Sequence, residues 1–334
     1  MRSAYDHNVM ARDTDTVGDW LIYCADPVGS RSEPPSASLS PVQAEALVEQ
    51  ADMHGVLPAL LRNFLPLQND AAFQIAKADA AGRHRSSLTY SLMLRAHGDA
   101  VMQAGADLPM AMVKGPVFAR TIYSSPSLRT FTDIDLLIAP EANSKIAEVL
   151  EGQGFALGEY ELDPARQEWK WIHRQNEAVM VEVHTNLVHH PDLRASMSVA
   201  FQDLAGISET PPALLTVAVI HGALHRYERI RHVVDICQAA RNLTSVDDEQ
   251  KLETLMKQTR ARFAAIAGLD LAYRMFGEPR CDQIARGLGP APYSGLARAL
   301  IGRSVITSTM NSNRFYHSWR RQAFRALLKH SKTS

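Results

Sequence analysis

The sequence is poor in cysteine: Cys24, Cys237 and Cys281 are the only three in 334 residues, and they lie far apart along the chain. Their odd number and wide spacing argue against a disulfide framework and against a zinc cluster. A chain of this length can bury a large apolar core without covalent cross-links. We therefore interpret all three cysteines as structural side chains in a reducing compartment.

An excess of charge of one sign is also absent. The sequence has 35 Lys and Arg against 36 Asp and Glu, which gives a formal net charge of −1. Affinity for a nucleic-acid backbone depends on the neutralisation of phosphates by Lys and Arg. The even balance therefore argues against a long nucleic acid as partner.

Long apolar runs are missing as well. No stretch approaches the roughly 18 apolar residues of a membrane-spanning helix. Where a secretion signal would need an apolar run, residues 1–23 contain Asp6, Arg12, Asp13, Asp15 and Asp19. We therefore expect a cytoplasmic protein without a membrane span.

The remaining patterns divide the chain into four parts. Pro, Gly and Ser are concentrated just before residue 40, which predicts a flexible N-terminal segment over residues 1–39. Ser40, Pro41 and Gln43 have the spacing of a capping box, which predicts that a helix begins there. Apolar residues at three- and four-residue spacing then predict an N-terminal helical part over residues 40–105.

The period of the pattern changes after residue 105. Short apolar or alternating runs predict strands, and with them a small α/β core over residues 106–190. Helical spacing returns further on and predicts a C-terminal helical part over residues 191–334. The predicted fold class is therefore α+β, a small mixed β-sheet core flanked by N-terminal and C-terminal helical parts.

Two carboxylates occupy alternate positions of one predicted strand. Asp133 and Asp135 are two residues apart, so a strand would point both side chains to the same face. Ile134, Leu136 and Ile138 would line the opposite face. The strand can therefore pack on a core while it presents two negative charges on its other side.

A third carboxylate belongs to a later strand of the same kind, in which Glu182 and His184 alternate with valines. Three convergent carboxylates repel one another, and their burial without a cation is costly. Mg²⁺, or Mn²⁺ in its place, would resolve this conflict at Asp133, Asp135 and Glu182. Such a group can hold two ions roughly 3.5 to 4 Å apart, as nucleotidyl transfer requires.

Three further side chains have more than one interpretation. Lys114, before Gly115 at the end of a predicted strand, could contact the phosphates of a nucleotide or form a salt bridge with a carboxylate. Arg129 could clamp a phosphate, lie on the surface or pair with Asp133. His184 could orient a metal ligand or be a hydrogen-bonded structural histidine.

Together these motifs resemble a little-characterised bacterial nucleotidyltransferase family of the polymerase-beta-like superfamily. The segments that carry the resemblance are Val113-Lys114-Gly115, residues 129–137, Val181-Glu182-Val183-His184, and His221 to His225 with Arg231 and Asp235. The resemblance implies that the two carboxylate-bearing strands bind metal jointly. It also implies that Lys114 and Gly115 occupy the turn on the phosphate side.

The sequence thus predicts an enzyme that transfers a nucleotide from an NTP, with ATP the expected donor, and releases pyrophosphate. The acceptor would be a hydroxyl or phosphate of a small molecule or peptide. The predicted metal-binding and catalytic residues are Asp133, Asp135 and Glu182. The predicted nucleotide-binding residues are Lys114, Gly115, Arg129 and His184.

Two other functions remain open from the sequence. His221 and His225 stand four residues apart on one helix face, and with Asp235 they could form a metallohydrolase site. Alternatively, the chain could be a catalytically silent scaffold that binds a nucleotide without chemistry.

The last 24 residues contain basic and aromatic side chains but no acidic one. This segment could contact an acidic partner. It could also be a docked amphipathic helix, with Trp319, Phe324, Leu327 and Leu328 facing inward and a solvated basic face.

Overall fold

The computed structural model describes residues 16–29, 33–63, 71–158, 167–307 and 315–331. Its N-terminal helices are α1 (residues 16–25), α2 (Pro41–Met53), α3 (Leu57–Arg62) and α4 (Ala71–Ala104). The predicted capping box is confirmed at the start of α2. Gln43 N–H donates to Ser40 Oγ at 3.3 Å, and Ser40 N–H donates to Gln43 Oε1 at 2.8 Å.

The N-terminal segment differs from its predicted flexibility. Within residues 1–39, α1 buries Trp20, Leu21 and Ile22 in the core. The indole of Trp20 donates to the carbonyl of Ala37 at 2.8 Å, so the chain after the helix is also held. Pro, Gly and Ser indicate a loop after α1, but they do not prevent the apolar helix before them from packing. Residues 1–15 and 30–32 lie outside the described residues.

The central part is a five-stranded mixed sheet. Its strands are β1 (Met110–Val113), β2 (Ile134–Ile138), β3 (Phe155–Leu157), β4 (Glu168–His173) and β5 (Asn176–His184). The spatial order is β1-β2-β5-β4-β3. Strands β2 and β5 pair in parallel, and the other neighbours pair antiparallel. Helix α4 packs against β1, β2 and β5, which places the long helix over the centre of the sheet.

Two helices accompany the sheet, α5 (Gly115–Thr121) after β1 and α6 (Asn143–Gly152) after β2. All five residues of β2 are buried, because this strand lies inside the sheet and both of its faces are covered. Asp135 is therefore a carboxylate on a buried strand, and its charge needs partners within the protein.

The C-terminal part consists of short and medium-length helices around a buried central one. They are α7 (Pro191–Arg194), α8 (Phe201–Leu204), α9 (Pro211–Leu224), α10 (Ile230–Asn242), α11 (Val246–Thr259), α12 (Arg262–Phe276), α13 (Pro279–Gly287), α14 (Ser294–Leu300), α15 (Arg303–Ile306) and α16 (Phe315–His330). Helix α9 is apolar almost throughout and packs against α10, α11 and α12. Helices α11 and α12 are separate, because Arg260 adopts the left-handed conformation (φ 57°) and ends α11.

Helix α16 is docked on the rest of the chain. Phe324 and Leu328 are buried as predicted, whereas the prediction for Trp319 is wrong, since its side chain is 54% exposed. Arg325 donates to Asp192 at 3.0 Å, and Lys329 lies 2.5 Å from the same carboxylate. Part of the basic face is thus paired with an acidic residue of the same chain.

The predicted α+β class is confirmed, since helices flank a mixed five-stranded sheet on both sides in sequence. Across the described ranges, every helix is too short or too polar to cross a membrane.

Candidate metal and nucleotide site

The register of β2 and β5 brings the carboxylates of the two strands together. Asp135 lies beside Glu182, and Leu136 lies beside Val183. Because neighbouring residues of parallel strands point to the same face, the two carboxylates share one side of the sheet. The predicted meeting of acidic residues almost fifty positions apart is confirmed for this pair.

His184 completes a group that could hold a metal ion. One potential ligand atom from each of Asp135, Glu182 and His184 lies within 4.8 Å of the others. His184 Nε2 is 3.0 Å from Asp135 Oδ1 and 3.7 Å from Glu182 Oε2. Within the part of the chain that the structure describes, this is the one such group. His184 is thus a possible metal ligand itself, in addition to a side chain that could orient one.

Asp133 is not a member of that group. It precedes the first residue of β2, so it lies outside the regular alternation that places Asp135 beside Glu182. Burial, followed by the charges of Asp135 and Glu182, raises the pKa of Asp133 to about 6. Asp133 is therefore within electrostatic reach of both carboxylates, and its role as a ligand stays a prediction.

The raised pKa of Asp133 has a measurable consequence for stability. In the unfolded chain the group titrates near its ordinary pKa of 3.8, so its contribution is fully present below about pH 4 and is lost as pH rises through about 6. In a chelating buffer we expect Asp133→Asn to be more stable than wild type at pH 8 by about 3 kcal/mol, and the difference to vanish near pH 3. Urea unfolding at both pH values measures this.

The matched control is Asp79→Asn, which removes an exposed carboxylate of α4 that pairs with Arg83. This control should leave the pH dependence of wild type unchanged. Equal pH dependence in wild type and Asp133→Asn would contradict the electrostatic coupling described above.

Lys114 forms a salt bridge with the carboxylate group, which is one of its two predicted roles. Its Nζ lies 2.5 Å from Asp135 Oδ1. Burial alone would raise the pKa of Asp135. The charge of Lys114 and the hydrogen bond from His184 outweigh burial and hold this pKa below its usual range. The next residue, Gly115, is closely packed, because a Cβ at this position would lie 2.8 Å from the Cβ of Phe131.

Arg129 does not reach the carboxylate group. Its Nε and Nη2 donate to the two oxygens of Asp235 at 2.8 and 2.9 Å, and both side chains are buried. Tyr123 donates to the same carboxylate at 2.7 Å. The sequence allowed Arg129 to clamp a phosphate, to lie on the surface or to pair with Asp133. In the structure it instead forms a bidentate ion pair with Asp235 of α10. Sequence spacing could not identify a partner 106 positions away.

A family model described as an uncharacterised nucleotidyltransferase matches residues 40–277. The chain belongs to this nucleotidyltransferase family. The matched range contains all five strands and every residue of the carboxylate group. No curated protein and no solved structure matches the chain.

Three histidines form a second cluster, in the C-terminal helices and the turn after α9. The ring centroids of His221, His225 and His232 lie 4.7 to 5.0 Å apart. Burial, then the charge of His225, lowers the pKa values of His221 and His232 well below their usual range. The metallohydrolase alternative gains no support, because Asp235 already accepts three hydrogen bonds.

One side chain at the site was missed by sequence analysis. Lys170 of β4 pairs across the sheet with Glu182, and its Nζ lies 2.8 Å from Glu182 Oε1. The sequence did contain a signal, because Lys170 stands between Trp169 and Trp171, which is the alternation of a half-buried strand. In the folded protein Glu182 thus has a cation on the side opposite Asp135.

Proposed function

We propose that this chain is a Mg²⁺-dependent nucleotidyltransferase that transfers an NMP from an NTP, with ATP as the expected donor. The acceptor is a hydroxyl or phosphate of a small molecule or peptide, and pyrophosphate is released. The observation that carries the proposal is the register that sets Asp135 beside Glu182, with His184 against both. Membership of a nucleotidyltransferase family supports the same chemistry.

The residues present fit a divalent cation. Asp135 and Glu182 offer carboxylate oxygens, the ligands that Mg²⁺ and Mn²⁺ prefer, and Asp133 is a third carboxylate whose charge interacts with both. Two lysines now balance this negative charge, Lys114 at Asp135 and Lys170 at Glu182. A metal ion can take over the charge balance that Lys114, with its flexible stem, now provides at Asp135.

When bound, the cation would neutralise the triphosphate and favour ionisation of the attacking hydroxyl. Glu182 is the more exposed carboxylate, at 13% against 3% for Asp135, so it is the one placed to accept the proton of the acceptor. Lys170 holds Glu182 Oε1, which fixes the orientation of that carboxylate.

Lys114 supplies a positive charge close to the reacting groups. Burial works against that charge, but Asp135 raises the pKa of Lys114, so the ammonium stays protonated. Its flexible stem allows it to turn from Asp135 to a phosphate oxygen of the donor. The salt bridge and the phosphate contact would then be two positions of one side chain.

The test is direct. The full chain is incubated with Mg²⁺, each labelled NTP in turn and a panel of acceptors, and both pyrophosphate and acceptor mass are measured. The expected result is pyrophosphate release with a mass increment of one NMP on an acceptor. Binding of NTP without pyrophosphate across the whole panel would instead favour the silent scaffold.

A further inference from the structure

Arg231, near the start of α10, is a half-buried arginine whose Nε is buried and has no hydrogen-bond partner among the described residues. Burial, then the charge of Arg129, lowers the pKa of Arg231 to about 9. Its neighbour in the ion-pair network, Asp235, is already bound in bidentate fashion by Arg129. A buried cation in this state is costly unless a ligand provides the missing negative charge.

Arg231 lines a cavity of about 120 Å³. Arg229 lines it as well, together with His84, Ser87 and Tyr90 of α4. The Nδ1 of His84 is a second buried polar atom for which the described part of the chain provides no hydrogen-bond partner. The cavity therefore combines two guanidinium groups with side chains that can donate hydrogen bonds, which is the composition of an oxyanion site.

One carboxylate also lines this cavity. Asp52 could repel an anion, but it lies 3.4 Å from Arg83, which balances its charge. Two guanidinium groups thus face the cavity against one carboxylate that has its own partner. The net local charge remains positive.

The backbone around the cavity makes room for the guanidinium. Gly55 has a φ of 68°, and a Cβ at this position would lie 2.9 Å from Arg231 Cδ. His54 accepts hydrogen bonds from the first two amides of α10. The N–H group of Ile230 donates to His54 Nδ1 at 3.3 Å, and the N–H group of Arg231 donates to the carbonyl oxygen of His54 at 3.2 Å. Anion binding therefore depends on the arginine side chains and not on the helix end.

The cavity reaches the segment that precedes β2. Thr132 lines it, and the next residue is Asp133. An anion held in the cavity would therefore lie near Asp133.

We propose that Arg229 and Arg231 bind a phosphate group of one of the two substrates in this cavity. This inference rests on the proposed function, because the cavity lies beside Asp133, which that function includes as a candidate metal ligand. The phosphate belongs either to a phosphorylated acceptor or to the triphosphate of the donor. Both sources share the chemistry that two guanidinium groups recognise.

The experiment is calorimetric titration of the full chain with inorganic phosphate, in wild type and in Arg231→Gln. We expect saturable binding in wild type and a dissociation constant about tenfold or more higher in Arg231→Gln. Arg231→Lys, which keeps the charge, should lose less. The control Arg95→Gln removes an exposed guanidinium of α4 that pairs with Asp99, and it should bind as wild type does.

Thermal unfolding distinguishes an Arg231 that binds phosphate from one that only stabilises the fold. Without phosphate, Arg231→Gln should unfold at the same temperature as wild type or higher, because it removes an uncompensated buried charge. Phosphate should raise the unfolding temperature of wild type and leave that of Arg231→Gln unchanged. Equal phosphate binding by the two proteins overturns the proposal, and so does an absence of binding by wild type.

A non-hydrolysable ATP analogue distinguishes the two sources. Competition between the analogue and phosphate assigns the cavity to the donor triphosphate, whereas simultaneous binding assigns it to the acceptor. Phosphate binding needs no turnover, so Asp135→Asn should bind phosphate as wild type does. Loss of turnover in that variant and failure of phosphate binding are therefore separate results.

Discussion

Asp135→Asn is expected to reduce pyrophosphate release from NTP on the order of a thousandfold, because it removes the most buried negative charge of the carboxylate group. The amide has nearly the same shape as the carboxylate, so the packing of β2 is preserved. Lys114 keeps attractive charges nearby in Glu182 and Asp133, so the variant should still fold. Steady-state rates at saturating Mg²⁺, with circular dichroism of the same sample, measure both effects.

The matched change at the neighbouring strand is Glu182→Gln, for which we expect a loss of similar size. The control is Asp79→Asn, an exposed carboxylate in an ion pair on α4, which should keep the wild-type rate. If Asp135→Asn and Glu182→Gln both kept the wild-type rate, the metal site proposed between β2 and β5 would be rejected.

Asp235→Ala is expected to lower the free energy of unfolding by about 3 to 5 kcal/mol. The change leaves Arg129 as a buried, unpaired cation and removes the acceptor of the Tyr123 hydroxyl. The ion pair joins the segment before β2 to α10, so its loss also loosens the attachment of the C-terminal helices to the sheet. Urea unfolding followed by circular dichroism measures the difference.

The control for this prediction removes both charges together. The double variant Arg129→Met with Asp235→Leu replaces a buried ion pair with apolar side chains, which is far less costly than breaking the pair. We expect it to recover most of the lost stability. A single variant Asp235→Ala as stable as wild type would show that the ion pair contributes nothing to the fold.

Several features were predictable because they depend on neighbouring residues only. Strand alternation placed Asp135 and Glu182 on the faces of their strands, and the Ser40 and Gln43 spacing located the start of α2. Alternation also linked His184 to Glu182. These patterns follow from the geometry of strands and helix ends, which is fixed by the local chain.

Other features depended on partners distant in the sequence. The position of Lys114 against Asp135 required the antiparallel pairing of β1 with β2, and Lys170 reached Glu182 only through the pairing of β4 with β5. The composition predicts a flexible segment over residues 1–39, yet Trp20 of α1 is buried in the core. Composition cannot show which surface receives such a side chain.

The sequence by itself determined that this protein has acidic residues on alternate positions of two strands, and hence the class of chemistry it can support. Only the tertiary structure decided which residues share the site. It placed His184 with Asp135 and Glu182, paired Arg129 with Asp235, and left Arg231 Nε without a hydrogen-bond partner among the residues that the structure describes. The reason is that local geometry sets the direction of a side chain, whereas strand register and helix packing set its neighbours.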